Sequence, residues 1–352
     1  MFRVVQFLVL TAMVTALMSA AVTAQVNDEA LLTKRPQKLL SAYGLFADGA
    51  TQQPSEQVIP YDLQVPLFTD YAVKYRFAYV PEGQAATYSD SEAFEFPIGS
   101  VLVKTFAYPA DLREPDKDVR LVETRLLIHQ ETGWAAWAYV WNDDQSDAVL
   151  KVAGKVVPLG FVGLDGENKS ISYVVPNRNQ CKGCHSFERA FTPIGPKARN
   201  LNKPYGYDHG TENQLIAWEA AGILTGKPDQ SQIPALPEVD DVSAPIGDRA
   251  RAYLDINCAH CHRLEGPGST SGLFLTYGED TPVTWGYEKR PVAAGRGSGG
   301  LTYDIAPGDA EASILHYRMA STDPGIMMPE VGRTMVHEEG LALIRDWINQ
   351  MK

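Results

Sequence analysis

Between Tyr61 and about Pro176 the chain runs in short stretches where large apolar side chains alternate with polar or small ones. In Val73-Lys74-Tyr75-Arg76-Phe77-Ala78-Tyr79 every second residue is a bulky apolar one, and Lys74, Arg76 and Ala78 fall between them. This is the two-residue period of a strand with one buried face. Val101–Tyr108, Leu121–Gln130, Trp134–Trp141 and Ile171–Val175 are further β-branched or aromatic runs, set apart by Pro, Gly and Asp clusters. Five or more such strands with no helical period between them predict an antiparallel sandwich or barrel. Residues 27–60 read as an irregular lead-in with a short helix at Glu29–Leu40. His129 and the Trp134, Trp137 and Trp141 set are expected as core or groove residues.

The pattern changes after residue 176. Residues 177–245 are rich in Pro and Gly, and Thr211–Ala221 is their one clear helix, with Leu215 and Trp218 on its buried stripe. Pro228–Pro245 reads as a linker. Beyond it, Asp248–Asn257 reads as a helix, with Ala250, Leu254 and Cys258 at four-residue spacing. A Gly-rich excursion covers Gly266–Gly300. Asp309 is placed to cap a short helix carrying Ile314, Leu315 and Met319. Leu341, Ile344, Ile348 and Met351 mark the apolar face of a closing helix. The predicted fold is multidomain α+β. An antiparallel β-sandwich-like domain (residues 25–176) precedes a connecting segment (177–245) and a mostly α-helical region (246–352).

Composition adds that the chain is globular in character: 45% of its 352 residues are hydrophobic and 21% charged. Its one long apolar stretch follows Arg3 and ends in Val22-Thr23-Ala24. That order of basic, apolar and small residues reads as a signal peptide over residues 1–24, cut before Gln25, and implies a periplasmic protein that is soluble after cleavage. No Cys stands near the cleavage point, which argues against a lipoprotein. No later segment is apolar for long enough to span a bilayer. Cleavage would leave 30 Lys and Arg against 43 Asp and Glu, a net charge of −13. So acidic a chain is a poor partner for nucleic acid and suits a locally basic redox protein. No small-molecule substrate is evident.

The four cysteines decide the chemistry. They fall as Cys181-Lys182-Gly183-Cys184-His185 and Cys258-Ala259-His260-Cys261-His262. C-x-x-C-H is the signature of covalent haem c attachment. The two thiols add to the haem vinyl groups, and the adjacent His, here His185 or His262, coordinates iron from the proximal side. A four-cysteine zinc site would need the cysteine pairs but not the histidines. With 7 His in the whole chain, one after each pair is a rare coincidence. A thioredoxin-like dithiol needs a βαβ setting that neither pair has, and two disulfides closing such short loops would stabilise little. Two covalent haem c groups, each carrying iron, are therefore expected.

The last region resembles a class I cytochrome c domain, in which a helix leads into C-x-x-C-H, a Met-Pro follows on a loop, and a second helix closes the fold. Asp323-Pro324-Gly325-Ile326-Met327-Met328-Pro329 supplies the loop. The resemblance implies a cytochrome c-type haem-binding fold over 246–352 and assigns the thioether of Met328 as the distal iron ligand. The whole chain also looks like a family of exported bacterial di-haem cytochromes. The segments carrying that likeness are Glu123-Thr124-Arg125, Pro193–Asn202 and Asn257–His262.

For the first haem, His209, Lys197, His129 and Met319 compete for the sixth iron position, and an open position is the other possibility. Lys197 and Arg199 are alternative partners for haem propionates, and His260 is expected on the surface or on the propionate side. A filled sixth position suits an electron carrier with no catalytic residue. An open one would suit a peroxidase- or oxidase-like haem enzyme.

Overall fold

The computed structural model describes residues 25–352, so the signal peptide expected at 1–24 lies outside the described residues. Six strands form one antiparallel sheet in chain order: β1 (Val58–Tyr61), β2 (Val73–Tyr79), β3 (Val101–Tyr108), β4 (Arg120–Gln130), β5 (Gly133–Trp141) and β6 (Ala148–Leu150). β2 and β3 span the residues the alternation predicts, and β4 and β5 each begin one residue earlier. A separate antiparallel hairpin, β7 (Lys155–Val162) with β8 (Asn168–Val175), follows.

Strand alternation gives this sheet two unlike faces. On one, Phe77, Val103 and Leu126 stand in register across β2, β3 and β4 and pack on Leu31, Tyr43 and Leu45 of the lead-in. The other face is covered in two places. At one end Ala78 and Leu102 meet Leu201, Leu215 and Trp218. At the other, Phe106, Ala138 and Val140 meet Val157, Leu159 and Tyr173 of the hairpin. Between these two apolar patches the register aligns Arg76, Lys104 and Arg125 side by side.

This arrangement corrects the sandwich. The second layer is a two-stranded hairpin over part of one face. In β7 the buried Val157, Leu159 and Phe161 alternate with exposed neighbours. The hairpin therefore satisfies its one apolar face on the six-stranded sheet and is not extended by further strands.

The helices are short: α1 (Asp28–Leu32), α2 (Arg178–Cys184), α3 (Ala198–Leu201), α4 (Gln214–Ala220), α5 (Ile246–Asn257), α6 (Ile314–Ala320) and α7 (Glu338–Asn349). α1 stops well short of Leu40, before Pro36, whose ring cannot sit inside a helix. Residues 210–213 pair as a strand with Pro204–Tyr207, and α4 starts only after Asn213, whose side chain accepts from Leu215 N.

The mostly α-helical cytochrome c-type region is also corrected. α5, α6 and α7 make up fewer than a third of residues 246–352. The stretch between Cys258 and Ser313 holds turns and two single-turn 3-10 helices, which end at Gly272 and Gly299 in the left-handed conformation. Glycines with positive φ break a helix after one turn where an alanine-rich sequence would continue it. The described chain is β-rich with small helices, and among its described residues no helix is long and apolar enough to cross a membrane.

The connection between β1 and β2 binds the sheet to the C-terminal region. Phe68 N donates to Asn257 Oδ1 at 2.8 Å, and the Phe68 ring stacks on His337 with centroids 4.2 Å apart. Asp70 Oδ1 accepts from the backbone of Thr334 and Met335. These contacts set the C-terminal loops against the open middle of the sheet.

Candidate functional site

The first cysteine pair lies on α2. Asn177 Oδ1 accepts from the backbone of Asn179 and Gln180, and Gln180 Oε1 accepts from Asn177 N, a reciprocal cap that starts the helix. Helical spacing then puts Cys181, Cys184 and the following His185 on one side of a two-turn helix. His185 Nδ1 is 2.8 Å from the Thr192 carbonyl, so Nδ1 carries the proton and Nε2 keeps its lone pair. The ring stacks on Phe191, and burial lowers its pKa to about 4. It is a neutral, oriented imidazole at ordinary pH.

The second pair follows α5. Leu254 accepts from Cys258 N, and Cys258 accepts from both Cys261 N and His262 N, which coils the motif into one more turn. His262 Nδ1 lies 3.3 Å from Ser271 Oγ, and burial lowers this imidazole to about 4 as well. Burial raises the Cys258 thiol to about 12.

The two motifs meet. The ligand atoms of Cys184, His260 and Cys261 all lie within 4.8 Å of one another. The neighbouring Cys261 thiol and then His260 lower the Cys184 pKa, while Cys184 raises that of Cys261, whose Sγ donates to Gly183 O at 3.5 Å. The loops beyond the motifs clasp: Glu188 N donates to Glu265 O, and the Arg263 guanidinium covers the Phe187 ring at 4.6 Å.

Beside this junction lies a mostly apolar cavity of about 410 Å³. Such a volume is within the ordinary range for cofactor pockets, roughly 300–1,000 Å³. Cys181, Cys184, His185, Cys258 and His260 line it, with Met319, Met327 and Met328 from the C-terminal loops and the Arg76, Lys104, Arg125 row from the sheet. His262 and Cys261 stand outside that lining.

Several expected roles move. Of the four side chains proposed for the first sixth position, only Met319 lines the cavity. His129 Nδ1 is 2.7 Å from Phe96 O, its ring stacked on Trp134. His209 is exposed beside Glu212. Lys197 is buried away from the cavity, and Arg199 is spent on a bidentate pair with Asp255, so neither is available to propionates there. His260, expected on the surface or the propionate side, is half-buried: it lines the cavity, and its buried Nδ1 has no hydrogen-bond partner. The sequence reading missed the sheet cations altogether, although the polar positions of β2 were in plain view.

No protein-family model, curated protein or solved structure matches this chain. The resemblance to exported di-haem cytochromes, and that of the last region to class I cytochrome c, is therefore corrected. No comparison supports either, and a β-rich chain with small helices is unlike a class I cytochrome c. What the fold and site define is narrower: a β-sheet scaffold that brings two C-x-x-C-H segments to one cavity.

Proposed function

We propose that the chain is a periplasmic electron-transfer protein that attaches two haems covalently, one through Cys181 and Cys184 and the other through Cys258 and Cys261. The observation that carries this reading is the meeting of the two motifs, with the Cys184 and Cys261 sulfurs within 4.8 Å, beside a cavity that Cys181, Cys184, His185 and Cys258 line. Bound haem iron would supply one-electron redox chemistry. The residues fit it. His185 presents Nε2 because Thr192 holds Nδ1, and His262 is kept neutral by burial. Met328 and the neighbouring Met327 and Met319 offer soft thioethers from the same cavity wall. The net charge of −13 after cleavage favours a periplasmic redox partner with a basic face. Intact-mass spectrometry of denatured protein, matured in a host that attaches haem c, should give the polypeptide from Gln25 plus two haems. One haem or none overturns the reading.

The Cys184, His260 and Cys261 cluster favours a second reading, a structural or catalytic metal site. A thiolate, an imidazole and a second thiol suit zinc, with one position left for another ligand. The same thiols cannot serve both readings. Stoichiometric zinc with an unmodified polypeptide mass would establish the metal site.

A further inference from the structure

Arg76, Lys104 and Arg125 are directly opposed on neighbouring strands of one sheet face, and all three line the cavity. Like charges opposed across a sheet destabilise it, and a cation buried without a partner costs more. Arg125 is accounted for. Its Nε and Nη2 donate to both oxygens of Glu123 at 2.7 and 2.8 Å, and Tyr173 donates to the same carboxylate. Arg76 is not. It is 4% exposed, its Nη1 donates to Asp62 Oδ1, and its Nε and Nη2 have no partner. Lys104 faces the Phe106 ring at 5.0 Å. Lys74 stands on the same face, its Nζ donating to Ala72 O. Beside these four basic groups the sheet face holds two carboxylates, Glu123 and Asp62, and Asp62 is shared with Lys203. Two more line the cavity but are engaged elsewhere: Asp70 accepts from Thr334 and Met335, and Glu330 pairs with Arg318. Burial lowers the pKa of both Lys74 and Lys104, the expected response of ammonium groups short of anions. Cys181 and His185 line the same cavity. The pieces describe an anion seat: guanidinium N–H groups without partners, the Lys104 amine beside them, and a thiol attachment point in the same cavity.

We propose that Arg76 and Lys104 form the carboxylate seat of this cavity and bind the propionates of the haem attached at Cys181 and Cys184. The inference rests on the di-haem reading and adds which side chains hold the anionic edge of the group. A guanidinium with two free N–H groups suits a carboxylate bidentately, and Lys104 adds a point charge.

The test uses the full, haem-loaded chain, grown with 5-aminolevulinate labelled at its carboxyl carbon so that the propionate bands can be identified by infrared spectroscopy. In the oxidised-minus-reduced spectrum, Arg76→Gln should shift the labelled carboxylate bands and lower the midpoint potential of one haem only. Arg76→Lys should restore the potential, because it keeps the charge, but not the bands, because it loses the fork. Lys104→Met fills the same space with an apolar chain and relieves like-charge repulsion, so it should fold even if Arg76→Gln does not, and should shift the bands too. Intact mass is read on every sample. Two haems with bands and potentials unmoved in both Arg76→Gln and Lys104→Met would overturn the seat and leave the di-haem reading standing. Absence of haem from the wild-type chain would overturn both.

Discussion

Arg333 Nη2 donates to the carbonyl oxygen of Met328 at 2.8 Å. The same nitrogen lies 2.9 Å from Ser321 O and 3.2 Å from Met319 O, and Nη1 donates to Met335 O at 3.0 Å. One buried guanidinium thus ties the chain after α6 to the loop that carries Met327 and Met328. Replacing it with methionine keeps bulk but leaves several carbonyls without a donor, at about 1–3 kcal/mol each when buried. Arg333→Met should accelerate amide hydrogen exchange across residues 318–335 by at least tenfold, with β3 and β4 unaffected. Unchanged exchange in that loop would show that something else holds it.

The position of Met328 gives a spectroscopic prediction. Thioether coordination of ferric haem gives a weak far-red absorption band, and a soft sulfur ligand raises the potential. On the proposed di-haem reading, with Met328 as the iron ligand, Met328→Ala should abolish the band and lower the potential of one haem in the haem-loaded protein. Met327 shares the cavity wall and is the more buried of the two. If Met327→Ala removes the band and Met328→Ala leaves it, the ligand is Met327.

The Arg199–Asp255 pair should dominate the stability of the junction between α3 and α5. Arg199 Nη2 approaches both Asp255 oxygens, at 2.9 and 2.7 Å, and Tyr277 N donates to the same carboxylate. Asp255 is fully buried, so removing it strands a guanidinium that has little access to water. Breaking such a pair costs on the order of 3–5 kcal/mol. Chemical denaturation of Asp255→Ala should register that loss, whereas exposed Arg345→Ala, which breaks only a surface pair with Asp346, should fall within about 1 kcal/mol of wild type.

Acid should weaken the fold through His337. Burial against Phe68 and Tyr253 lowers its pKa to about 4, below the ordinary histidine value. A histidine depressed in the folded state takes up its proton more readily when unfolded. Its contribution is therefore complete above about pH 6.5 and is lost as the pH falls toward 4. Between pH 7 and pH 5 the loss should be about 2 kcal/mol. His337→Phe keeps the stack on Phe68 and should remove that part of the pH dependence. An unchanged slope between wild type and His337→Phe would assign the acid sensitivity elsewhere.

The strands and the closing helix were legible because their signals are local. Alternation in Val73–Tyr79 and Val101–Tyr108 is written residue by residue, and each run became a strand over the same residues. The apolar spacing of Leu341, Ile344 and Ile348 became α7, with Ile344 and Ile348 fully buried. The spacing within each C-x-x-C-H segment is likewise a local fact. The extent of helix beyond residue 246 was over-read: Ala250, Leu254 and Cys258 promised a helix, but the glycines that follow break the chain into single turns.

What the sequence determined by itself was which short segments are strands, which turn early, and which carry thiols beside an imidazole. The tertiary structure alone decided that Cys184 and Cys261, 77 positions apart in the chain, share one contact. It also decided that Arg76, Lys104 and Arg125 line up on one face beside them. Period and spacing report what a residue does to its own neighbours in sequence, within a turn of helix or a pair of strand positions. Register between strands and the docking of distant loops are set by the packing of whole faces, so the cavity and its cations exist only once the sheet has closed against the C-terminal loops.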